Sequence, residues 1–184
     1  MNAPMPNHQD ILKFWFVETT PEQQFKKDAA FDALIHERFS ETHRAAAHGE
    51  LYEWRATPEG RLAEIIVLDQ FSRNLYRDRP EAFVCDGMAL VLAQEAVGLG
   101  ADQVLLPDHR VFMYMPYMHS ESRAIHVVAE HLFRQPGVDA NLKYELRHKA
   151  IIDRFGRFPH RNAILGRESS PEERKFLEQT DSSF

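Results

Sequence analysis

Between Phe31 and Ala46, the positions Phe31, Leu34, Ile35, Arg38, Thr42, Ala45 and Ala46 fall on one side of a 3.6-residue period. No stretch sustains the two-residue alternation of a half-buried strand. The pattern predicts helices near 8–17, 21–47, 58–73, 81–97, 108–115, 120–134, 139–155 and 171–179 and essentially no sheet. The links between them are short, which favours antiparallel neighbours.

The punctuation agrees with the period. Pro21, Pro58, Pro80, Pro107 and Pro171 each stand ahead of a helix-like pattern, where a missing N–H is harmless. Thr20-Pro21-Glu22-Gln23 and Ser170-Pro171-Glu172-Glu173 have the form of a capping box. Gly49 and Gly156 are the expected helix stops, and Gln179 to Phe184 are expected to fray. One domain over 1–184, ordered from about 8 to 178, is the resulting expectation, with no internal repeat of fixed period.

A polar residue on an apolar face needs a partner or a purpose, because a buried charge is costly alone. Three helices carry such residues. Leu62, Ile65, Ile66, Asp69 and Arg73 share one arc, which points Asp69 inward and sets it one turn ahead of Arg73 as a buried ion pair. Glu121 aligns with Ile125, Val128 and Leu132 and is expected in the first turn of its helix, with Ser120 as the cap and His119 just before it. His148 belongs to the stripe Tyr144, His148, Ile151 and Phe155, and is read as a hydrogen-bonded core histidine.

The densest chemistry follows Gly156, where Arg157-Phe158-Pro159-His160-Arg161-Asn162 puts two arginines, a histidine and an amide into one proline-stiffened turn. Arginine forks match carboxylate or phosphate, histidine titrates near neutrality, and Asn162 both donates and accepts. An anion-binding lip is one reading. In the other, Arg157 and Arg161 bind helix carbonyl ends or pair with Asp69 and Glu121.

Composition narrows the classes. The 184 residues carry 22 Lys plus Arg against 28 Asp plus Glu, a net charge of −6, which gives no reason to expect a nucleic-acid partner or an anionic membrane surface. The single cysteine, Cys85, cannot close an internal disulfide and fits a reducing cytoplasm. Neither a signal peptide nor a membrane span is predicted, because the longest apolar run after the first ten residues, Val111 to Met118, is interrupted by Pro116. His119-x-Glu121 is too small a set for a metal site, no cofactor is expected, and nucleotide-binding, hydrolase-elbow and zinc-protease signatures are absent.

Several stretches together resemble a largely bacterial family known as domain of unknown function 924. They are Phe14-Trp15-Phe16, Phe31-Asp32, Leu68-Asp69-Gln70-Phe71-Ser72-Arg73-Asn74, His119-Ser120-Glu121, Phe155 to Asn162, and Leu165-Gly166-Arg167. The likeness runs from Ile11 to Leu177. Two positions depart from the family pattern: Ser72 replaces a usual proline, which lets the 58–73 helix run further, and Gln24 replaces a frequent tryptophan. The resemblance implies an all-α fold of antiparallel helix pairs in a compact superhelix like that of tetratricopeptide repeats. It implies no reaction.

Three functions compete. The first is a pocket for a small anionic or zwitterionic ligand, formed by Asp69, Arg73, Asn74, His119, Glu121, Arg157, His160, Arg161 and Asn162. The second is a hydrolase-like enzyme with His119 or His160 as general base, Glu121 or Asp69 orienting it, and arginines facing developing negative charge. The third is a protein or peptide scaffold in which these residues only lock helices together.

Overall fold

A computed structural model describes residues 5–180 and 182. Helix α1 (His8–Lys13) starts where the Asn7 side chain accepts from the Gln9 and Asp10 N–H groups while Asp10 returns a bond to Asn7. The chain continues through a π-helical turn, Phe14–Glu18, into α2 (Pro21–Phe25), whose Thr20–Gln23 capping box is formed. The single helix expected over 21–47 is two helices. Lys26 is extended, and the Asp28 carboxylate accepts from the Ala30 and Phe31 N–H groups, so a new helix, α3 (Ala29–Ala47), begins there.

Helix α4 (Pro58–Ile66), capped by Thr57, passes without a break through a second π-helical turn, Val67–Phe71, into α5 (Ser72–Leu75). The Ser72 hydroxyl donates back to the Leu68 carbonyl at 2.5 Å, a bond no proline could make. Pro80–Phe83 is a 3-10 turn, so the helix expected from 81 begins later, as α6 (Asp86–Gly98). Helix α7 (Pro107–Met118) runs beyond its expected end and holds Pro116 inside it.

The expected start of the next helix is also corrected. α8 (Arg123–Phe133) has Ser122 at its cap position, and Glu121 lies before the helix rather than in its first turn. The Ser120 carbonyl is bound by His126 Nε2 at 2.8 Å. The inward face of α8 is His126, Ala129, Leu132 and Phe133, while Val128 of the expected stripe is 43% exposed. A 3-10 turn opens α9 (Leu142–Phe155), and Gly156 ends it at φ +73°, a left-handed conformation suited to glycine. The last helix is α10 (Pro171–Leu177), with its Ser170–Glu173 box formed. Of the tail expected to fray, Ser182 is buried and its hydroxyl donates to the Leu177 carbonyl; Asp181, Ser183 and Phe184 lie outside the described residues.

The chain is all-α, with no strand among the described residues. α4 is the central helix. Leu62, Ala63, Ile65, Ile66, Val67, Leu68 and Phe71 have no exposed surface, and α1, α6 and α7 pack around it while α3 covers α5. Each fully buried aliphatic or aromatic side chain contributes about 1.5–3 kcal/mol. Aromatic packing closes the side toward α3: Phe14 and Phe39 have centroids 4.8 Å apart, and Trp15 meets Phe112 edge-on at 5.6 Å. A smaller cluster of Ile151, Ile152 and Phe158 lies where the turn after α9 folds back. No helix among the described residues is long and apolar enough to cross a membrane.

Candidate functional site

The α4–α5 segment, the end of α7, α9 and the turn after Gly156 enclose a cavity of about 570 Å³. The π-helical turn is what presents its floor. One extra residue in that turn shifts the side-chain progression, so that Asp69 is buried while Gln70, Arg73 and Asn74 reach the wall. The cationic side chains on the wall are Lys26, Arg73, Arg77, Arg147 and Arg161, and the lining includes neither Asp nor Glu. Phe83, Val111, Met115 and Met118 make an apolar portion beside them.

His119, the residue that ends α7, lines this cavity with its ring tied to a buried carboxylate: Nδ1 lies 2.8 Å from Asp69 Oδ1. Asp69 is 1% exposed, and its other oxygen accepts from Gln70 Nε2 at 2.6 Å. Burial pushes the Asp69 carboxyl up, but the charges of His119 and Arg73 and the two hydrogen bonds outweigh it and hold the group down at about 2. An ionised Asp69 accepts the Nδ1 proton, which leaves Nε2 as the ring nitrogen offered to the cavity. Among the described residues, Nε2 makes no hydrogen bond.

The expected Asp69–Arg73 pair is a loose one, at 4.0 Å. Arg73 instead grips Asp86 with both arms, Nη2 at 2.9 Å from Oδ2, and also donates to the Ala82 carbonyl. Arg161 reaches the same carboxylate at 3.2 Å and donates to the His119 carbonyl at 3.1 Å, against the C-terminal end of α7. Its guanidinium lies 4.6 Å from the Phe83 ring centroid and 4.7 Å from that of Phe158. Two arginines thus share Asp86. Desolvation, with the repulsion of Arg73 added, lowers the Arg161 pKa to about 10.

The other histidines of the wall are neutral. Burial, aided by the Arg161 charge, lowers His160 to about 4, and burial lowers His148 to about 3. His148 Nδ1 donates to the Tyr144 carbonyl at 2.8 Å, the backbone partner expected of a core histidine, while Tyr144 of the same stripe is 45% exposed. Asn74 lines the cavity and donates to Asp32 at 2.8 Å; Asp32 also holds Arg77 with two bonds.

Of the nine expected pocket residues, Arg73, Asn74, His119, His160 and Arg161 line the cavity, Asp69 is buried behind His119, and three lie elsewhere. Glu121 accepts the Phe158 N–H at 2.7 Å and pairs with Arg167 through both oxygens. Asn162 is fully buried and bridges Ser169 and Arg167. Arg157 pairs with Glu173 at 2.7 and 2.8 Å and donates to the Glu168 carbonyl, facing α10. This second network pins the turn to the C-terminal segment and is continuous with the cavity wall through the backbone of Phe158 to Arg161. Asp86 and Arg147 carried no sequence signal, since each sits on an ordinary helical surface pattern. Gln70 and Arg167 stand within the family-like stretches.

A protein of unknown function from Agrobacterium tumefaciens is 43% identical, with a TM-score of 0.88 over 93% of this chain and 96% of that one. No curated protein matches. Residues 11–181 match the family described as bacterial protein of unknown function (DUF924), and the chain belongs to it.

Proposed function

We propose that this protein binds a small organic anion in the cavity beneath the turn after Gly156. The observation that carries this reading is the make-up of the wall: Lys26, Arg73, Arg77, Arg147 and Arg161 line it, while the carboxylates that pair with four of them, Glu22, Asp32 and Asp86, stand outside the lining, in a chain whose net charge is −6. Cationic side chains gathered around one hollow raise the local anion concentration, and the buried Arg161 and half-buried Arg73 and Arg77 are less screened by water than Lys26 and Arg147, which are exposed. Arg161 is held there at a desolvation cost and shares Asp86 with Arg73, so an incoming anion adds a further acceptor for two crowded guanidiniums. The apolar portion, Phe83, Val111, Met115 and Met118, suits a carbon skeleton rather than a bare inorganic ion.

Calorimetric titration with benzoate, phosphate and neutral benzamide tests the reading. Benzoate binding, weaker phosphate binding and no benzamide binding are expected, with Arg161→Gln and Arg147→Gln each weakening benzoate. Equal affinity for benzoate and benzamide, or no binding of any of the three, would overturn it.

A further inference from the structure

We propose that the cavity is catalytic and hydrolyses an acyl ester bearing a negative charge, with His119 as the proton-accepting residue and Asp69 as its positioning residue. The proposal rests on the anion-binding reading and adds a reaction to it. Its basis is the way His119 is held: Nδ1 is tied at 2.8 Å to a carboxylate that is 1% exposed, which fixes both ring orientation and tautomer. Gln70 clamps the second Asp69 oxygen at 2.6 Å, so the carboxylate itself cannot swing away. The core residue His126 is tied to Glu145 in the same way, but its second nitrogen is taken by the Ser120 carbonyl, whereas His119 lines the cavity. The π-helical turn that carries Asp69 and Gln70 is a departure from regular helix of a kind frequent at functional sites.

The surroundings select the step. Among the described residues, the lining contains no serine, threonine or cysteine; Ser72 is buried between Leu68 and His43, and Cys85 is buried. Water is therefore the nucleophile. Its oxygen bonds to the acyl carbon as His119 Nε2 takes its proton; the bond from that carbon to the leaving oxygen then breaks, and the proton on Nε2 passes to the leaving oxygen, giving an acid and an alcohol. Arg161 donates to the His119 backbone carbonyl and the Arg73 guanidinium lies 4.0 Å from Asp69, so two cations that line the same cavity stand close to the histidine–carboxylate pair and favour negative charge there. A wall divided between cations and Phe83, Met115 and Met118 matches a substrate with one ionised group on a carbon skeleton.

The test uses 4-acetoxybenzoate and uncharged phenyl acetate as probes, with benzoate binding measured on the same proteins. Wild type is expected to hydrolyse 4-acetoxybenzoate in preference to phenyl acetate. His119→Gln and His119→Ala should each lower kcat/KM by about 100-fold or more while benzoate affinity stays within about threefold. Added imidazole should restore part of the His119→Ala rate, which loss of a merely structural histidine would not allow. Asp69→Asn should lower kcat with little change in KM. If His119→Ala and His119→Gln fail to fold, Asp69→Asn decides: an unchanged kcat would overturn the proposal. Benzoate binding without hydrolysis above buffer, or with equal rates in wild type and the His119 variants, would overturn the catalytic proposal and leave the binding site standing. Absence of benzoate binding would overturn both.

Discussion

Glu121 and Arg167 form a two-pronged ion pair across 46 residues, Oε2 lying 2.6 Å from Nη1 and Oε1 2.9 Å from Nη2. Glu121 also accepts the Phe158 N–H, so one carboxylate fastens the turn after Gly156 to the segment leading into α8. Neither residue lines the cavity. Arg167→Met should therefore cost about 1–3 kcal/mol, by leaving Glu121 short of donors, and leave benzoate affinity unchanged. Urea denaturation and calorimetry on the same variant check this. Lost binding at unchanged stability would reverse the assignment.

Asp86 serves Arg73 and Arg161 together. Asp86→Ala leaves two guanidiniums beside each other with no carboxylate between them, an arrangement expected to cost about 3 kcal/mol. Because the deficit is one of negative charge, phosphate should raise the thermal midpoint of the variant more than that of wild type. Equal shifts in the two proteins would show that phosphate does not reach this pair.

Acid should destabilise the fold before the carboxylates titrate. Burial lowers His43 to about 4, His148 to about 3 and His160 to about 4, whereas histidine in an unfolded chain titrates near 6.5. Below about pH 6.5 the unfolded chain takes up protons that the fold excludes. The stability from these groups is thus full above that pH and is lost as pH falls toward 4, with a slope of up to about 1.4 kcal/mol per pH unit for each. Asp69, held at about 2, adds its loss as pH falls from the ordinary carboxylate value of about 3.8 toward 2. Urea midpoints at pH 8, 6 and 5 measure the slope, and His148→Gln should flatten it. A midpoint constant from pH 8 to 5 would contradict the buried neutral histidines.

His126 and Glu145 are both without exposed surface, with Nδ1 2.8 Å from Oε1, and Nε2 is taken by the Ser120 carbonyl. Both ring nitrogens face acceptors, so one proton must lie between His126 and Glu145. Burial raises the Glu145 pKa, and its second oxygen has no hydrogen-bond partner among the described residues. A neutral amide answers the same need by donating to Nδ1. Glu145→Gln should cost under about 1 kcal/mol, whereas Glu145→Ala should cost about 3, through a lost partner and a cavity. Denaturant midpoints of the two variants decide, and a large loss in the Gln variant would mean that the charged pair itself is required.

Helix identity, the Thr20–Gln23 and Ser170–Glu173 boxes, and the Gly156 stop were all readable along the chain, because they depend on partners within four residues. Burial of Asp69 was readable too, since a 3.6-residue period carries the face of a helix with it. The break at Asp28 and the late start of α8 were not: they turn on whether a side chain or a distant ring claims a backbone group, as His126 claims the Ser120 carbonyl. Pairing was decided by the tertiary structure alone. Arg73 had a carboxylate one turn away and took Asp86, 13 residues on, while Arg161 met that carboxylate across 75 residues and His119 met Asp69 across 50. Spacing along one helix limits which side chains share a face. Which charges finally meet depends on how the helices pack, because desolvation makes each buried ion take the best-placed counter-charge in space, whatever its distance along the chain.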